Sequence, residues 1–191
     1  MNIEELSEAV YEDLNGRIVS ADHQDDRVTL VYECDYWEDP DKRVSFLLRC
    51  SEVAETTACP GVSGDLWWTS EHPLLLNHNH QHGSLFFTSK PANLHGVVGV
   101  LYQTHEDLFQ GWRPLRDHIN HCGKTHEILA SGNGLLARGP IPLLELYQKS
   151  VQRLIKTNIV NSYTPDGGCR AIIFEDSFVI CKEVEVSQQT G

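Results

Sequence analysis

No stretch of this 191-residue sequence approaches the ~20 consecutive apolar residues that a membrane-spanning helix requires. The first residues, Met1-Asn2-Ile3-Glu4-Glu5, lack both the basic start and the apolar run of a secretory leader. These two absences predict a cytoplasmic protein with no membrane segment. Basic residues are also scarce: 15 Lys and Arg stand against 27 Asp and Glu, a formal net charge of -12. A surface of that sign repels phosphate backbones, so no nucleic-acid partner is expected. Arg113, Arg116 and Lys124 come nearest to a basic patch, and Asp117 and Glu127 dilute it. Protonating all ten histidines would bring the charge to about -2, which predicts poor solubility at mildly acidic pH.

The familiar catalytic signatures are missing as well. None of the six cysteines (Cys34, Cys50, Cys59, Cys122, Cys169, Cys181) forms a Cys-x-x-Cys pair. Their irregular spacing and the leaderless start argue against a disulfide scaffold. There is no His-Glu-x-x-His motif, and the glycines from Gly132 to Gly139 lack the Gly-Lys-Ser/Thr ending of a phosphate loop. Gly61-Val62-Ser63-Gly64 falls one residue short of a nucleophile elbow. With no internal repeat, low-complexity tract or linker, the reading is a single domain over 1–191.

What is present is an ordinary globular balance, 40% hydrophobic and 22% charged, which excludes disorder. Ile3, Leu6, Val10 and Leu14 predict an amphipathic helix over 2–14, stopped at Asn15-Gly16. A strand-rich segment, 17–88, follows. Strands are expected at 17–21, 27–34 and 43–50, the last two joined by an acidic loop over 35–42. One antiparallel register faces Val28 with Cys50, Leu30 with Leu48, Tyr32 with Phe46 and Cys34 with Val44. A slip of one residue would set an apolar face against a polar one. That register holds Cys34 and Cys50 too far apart to bond. Glu33, Asp35, Glu38, Asp39 and Asp41 read as a solvated charge cluster around the loop.

Residues 55–65 are expected to be a loop, and apolar runs at 66–76 and 84–88 to flank a hairpin tip at 77–83. A helical segment, 94–158, comes next: one helix with the stripe Val98, Leu101, Tyr102, His105, Leu108, Phe109, closed at Gly111, a short helix from Pro114 to about Cys122, and a strong helix from Pro142 to Lys156. The chain closes on a hairpin over 169–186 and a frayed end. Strands, then helices, then strands predict an α+β fold, a mainly antiparallel sheet from N-terminal and C-terminal strands packed with a helical middle segment.

Nine of the ten histidines lie between His72 and His126, the one compositional anomaly. On a strand, His78, His80 and His82 would point to one side, and imidazole is a good neutral ligand for zinc or nickel. His118, His121 and Cys122 form a second cluster with helical spacing. The bland alternative is a solvated loop for the first and a polar helix end for the second. Cys122 beside His118 or His126 also admits thiol chemistry. His105 sits on an apolar stripe and reads as a satisfied core histidine. Adjacent Trp67 and Trp68 must face opposite sides of a strand, one inward and one outward. Trp112-Arg113 suggests a pocket for an anionic or aromatic ligand. Two functions follow: a non-catalytic module binding a protein partner or small ligand, or a hydrolase-like enzyme using a divalent metal held by the two histidine clusters.

Overall fold

The structure is a computed structural model that describes residues 1–120 and 125–189. It is an α+β fold dominated by antiparallel sheet, as the sequence predicts; every strand pairing is antiparallel among the described residues. Where the sequence offered no linker, the chain forms two compact units: residues 1–75 with 168–191, and residues 76–167.

In the first unit, α1 (Ile3–Ala9) begins with a capping box in which Asn2 and Glu5 each satisfy the other's backbone N–H. The helix is shorter than its apolar period predicts. Val10, β-branched, and Tyr11 are weak helix formers, and Val10 is already extended at φ -92, ψ 126. A separate 3-10 turn, Glu12–Leu14, carries Leu14 into the same core. Asn15 then takes the left-handed conformation at φ 49. A Cβ on the following Gly16 would overlap the Tyr32 hydroxyl and the Gly64 carbonyl, so glycine is required there.

β1 (Arg17–Gln24), β2 (Arg27–Tyr36) and β3 (Asp39–Ser51) form the meander. The observed β2–β3 register is the expected one at all four pairs. The acidic loop, however, is strand on both sides. Arg43 lies 2.8 Å from Asp35 and 3.3 Å from Glu33, and Arg17 also pairs with Glu33, so the sheet face neutralises its own carboxylates. Trp37 stacks on Phe46 at 6.1 Å and draws the turn onto the sheet.

The expected loop at 55–65 contains two short strands, β4 (Glu55–Thr56) and β5 (Gly61–Val62), and β6 (Leu66–Thr69) follows. Trp68 is 8% exposed and Trp67 49%, the inward and outward pair that alternation requires. At the far end of the chain, β10 (Arg170–Phe174) and β11 (Phe178–Cys181) form the expected hairpin, but β12 (Glu183–Gln189) leaves it to pair with β3. The tail is therefore split between two sheets, ordered β12-β3-β2-β1-β5 and β4-β11-β10-β6. Residues 187–189, expected to fray, are strand. One core joins α1 to both sheets, with Tyr32 and Phe174 rings 6.0 Å apart across it. Cys34 and Cys50 are both free and buried.

The second unit holds α2 (Leu76–Asn79), β7 (His82–Phe87), α3 (Leu94–Phe109), α4 (Thr125–Ala130), β8 (Gly134–Pro140), α5 (Ile141–Val151) and β9 (Thr157–Asn161). The expected hairpin over 66–88 does not form. Pro73 opens a 3-10 turn after β6, β6 pairs with β10, and β7 pairs with β8 and β9. Val97, Leu101, His105 and Phe109 are the buried stripe of α3, while Tyr102 is 53% exposed and lies off it. The α3 helix ends at Gln110 and Gly111, both at positive φ. α5 stops at Val151, before the expected Lys156, and the rest of that segment turns into β9. Among the described residues no helix is long and apolar enough to cross a membrane.

Candidate functional site

Histidines from both clusters reach one groove of the second unit, about 500 Å³, which Arg113, Asp117, Arg138 and Tyr163 also line. The local structure explains how. α2 makes a helical turn through His78, and only His82 lies on a strand, so the period-two alignment of His78, His80 and His82 fails. His80 is exposed and does not line the groove. His78 and His82 do. His82 donates from Nε2 to the Asn77 carbonyl at 2.8 Å, because a carbonyl can only accept. Its ring stacks on Tyr163, centroids 4.6 Å apart and planes 17° apart. Two backbone hydrogen bonds, His82 N–H to Tyr163 O and Ser162 N–H to His82 O, each 2.8 Å, fix that pair.

His118 enters from the other side. Pro114 precedes a 3-10 turn, Leu115–Asp117, rather than the expected helix, and the residues after it run beside β8. Arg138 N–H donates to the His118 carbonyl at 2.8 Å, Asn120 N–H donates to the Leu136 carbonyl at 2.8 Å, and Ile119 bridges Ala137. Gly139 permits this approach: a Cβ there would come within 2.8 Å of His118 Nδ1. The His118 ring is 4% exposed and stacks on Phe109. Its Nδ1 faces the Arg138 carbonyl at 3.3 Å and so carries the proton, which leaves Nε2 an acceptor, buried and without a hydrogen bond among the described residues. Burial pushes its pKa down to about 4, against the Arg138 carbonyl, and the neighbouring His105 and Arg113 push the same way. At neutral pH this imidazole is uncharged.

His105 is a satisfied core histidine. The Tyr147 hydroxyl donates to its Nδ1 at 2.7 Å, and its Nε2 donates to the Arg113 carbonyl at 2.7 Å. The turn at Gln110 and Gly111 brings Arg113 back to receive that bond. Burial raises the Tyr147 hydroxyl pKa, so it remains a donor.

Of the residues singled out in the sequence, then, Arg113, His78, His82 and His118 share the groove. Trp112, half-buried, does not line it. His121 and Cys122 lie outside the described residues, and with them the thiol reading. Among the described residues no group of three or more His, Cys, Asp or Glu side chains is arranged to hold a metal ion. Sequence reasoning missed Arg138, Tyr163 and Gly139. Gly139 sits in a strand, β8, inside the segment that the sequence reads as helical; Arg138 and Tyr163 carry no local signal. Arg138 is exposed and, like Asp117, makes no ion pair or side-chain hydrogen bond among the described residues. Two other concavities hold no histidine: one on the outer face of the five-stranded sheet beside Asp22, Arg27, Arg49 and Glu185, one beside α5 near Glu145 and Lys149. Searches against protein-family models, curated proteins and solved structures find no significant match to this chain.

Proposed function

We propose that this protein is a non-catalytic binding module whose second unit takes a small anionic ligand in the groove between Arg113 and Arg138. One observation carries the reading: two guanidinium groups and three histidines line a groove that holds a single carboxylate, Asp117, in a chain of net charge -12. The local sign runs against the global one. Guanidinium groups hold their charge at all accessible pH and present paired donors to carboxylate or phosphate oxygens. His118, neutral at pH 7, adds no charge of its own to the groove. The overall acidity favours a small anion over a polyanion, which the rest of the surface would repel.

The test is an NMR titration of the full chain with inorganic phosphate against sodium chloride at matched ionic strength. The expected result is a saturable shift of the His82, His118 and Arg138 resonances with phosphate alone. Arg138→Ala should weaken it by at least about ten-fold, the cost of losing a hydrogen bond to a charged group. Identical shifts with phosphate and chloride would refute the reading.

A further inference from the structure

We infer that the ligand of this groove is a ring-bearing anion, its aromatic ring laid on Tyr163 and its anionic group held by Arg138 and Arg113. The inference rests on the anion reading above and adds the ring. Tyr163 is 60% exposed although its ring lies nearly parallel to His82. The stack therefore covers one face of the phenol and leaves the other open. An exposed tyrosine on a loop is ordinarily mobile. This one follows β9 and is fixed by the two backbone bonds it and Ser162 share with His82, while the Asn77 carbonyl holds the His82 ring. A platform already ordered loses little conformational freedom when a ligand arrives. Aromatic stacking adds affinity without demanding a particular hydrogen-bond pattern. The groove volume, about 500 Å³, lies within the range that small-molecule sites occupy, roughly 300–1,000 Å³. A bare inorganic anion would leave both the volume and the open tyrosine face unused.

Isothermal titration of the full chain with phenyl phosphate, inorganic phosphate and phenol tests the inference. Phenyl phosphate should bind about ten-fold more tightly than inorganic phosphate, the scale of one stacked ring. Tyr163→Ala should erase that advantage, bringing the two phosphates to equal affinity; Tyr163→Phe should keep it. Because the side chain is exposed, these substitutions leave the core intact. Equal affinities for the two phosphates overturn the inference, as does an advantage that survives Tyr163→Ala, and in both cases the anion reading stands. Phenol binding as tightly as phenyl phosphate overturns it too, because the anion then contributes nothing. Absence of binding by either phosphate removes both readings.

Discussion

Lowering the pH should destabilise this protein through His118 before its carboxylates titrate. In the folded state burial holds the imidazole at about 4, against the ordinary 6.5 of the unfolded chain. Above 6.5 both states are neutral and His118 contributes no pH dependence. Between 6.5 and 4 the unfolded chain takes up a proton that the folded one refuses, so stability falls as pH falls. Below 4 both are protonated and the loss is complete. At about 1.4 kcal/mol per unit, the full loss is about 3 kcal/mol, of which about 2 kcal/mol is reached by pH 5. Against a typical stability of roughly 5–15 kcal/mol that is a large fraction. Urea unfolding across pH 7.5 to 5, at low protein concentration, measures it directly. His118→Gln, which does not titrate, should flatten the wild-type slope by about that amount. An independent readout is the His118 Cε1–H shift, which should stay that of a neutral ring through pH 5. A wild-type curve parallel to that of His118→Gln, or an imidazole midpoint near 6.5, would refute the burial argument.

Tyr147→Phe should cost about 1–3 kcal/mol in urea unfolding, because it leaves the buried His105 Nδ1 without its donor; a neutral effect would mean that another group supplies it. Gly16→Ala should cost at least about 2 kcal/mol, since the added methyl meets the Gly64 backbone as well as the Tyr32 ring and neither yields cheaply; a shift in melting temperature no larger than that of an exposed substitution would contradict the packing. Brief alkylation of the native protein should label Cys59, the exposed thiol among the five described cysteines, well before Cys34, Cys50, Cys169 and Cys181, as peptide mass spectrometry reads. Solubility should have its minimum a little below the sequence pI of about 5.2, because burial holds the His118 imidazole at about 4 and pushes His72 in the same direction.

The sequence is most legible where one face of an element is buried and its partner is near. The β2–β3 register follows from four apolar pairs, and the buried face of α5 from Leu143, Leu144, Tyr147 and Val151. Long-range pairing was hidden for the complementary reason. Period two says which side of β6 faces inward but not that its neighbour is β10, a hundred residues on, nor that β12 belongs beside β3 rather than in a hairpin. β8 was concealed by Gly134 and Gly139, one of which exists to admit His118. At the site, residue chemistry pointed to His78, His82, His118 and Arg113. It erred on how they meet, because a helical turn at Leu76–Asn79 broke the alternation that a strand would have imposed. Arg138 and Tyr163 look like any exposed arginine and tyrosine until β7, β8 and β9 bring them together.

The division of the first unit between the two ends of the chain has a consequence for the order in which the protein is made. Residues 76–167 form a unit that is complete once its last strand leaves the ribosome, whereas the first unit must wait for residues 170–189. Until then β6 has no β10, β4 has no β11, and β3 presents a bare edge where β12 will lie. At 5–20 residues per second, the intervening ~90 residues occupy roughly 5–20 s of translation. Over that interval the nascent chain displays an open strand edge, the kind of surface most prone to pairing with a stranger. The repeated Glu and Asp of its first 75 residues keep such chains apart by charge while the closing strands are still unmade.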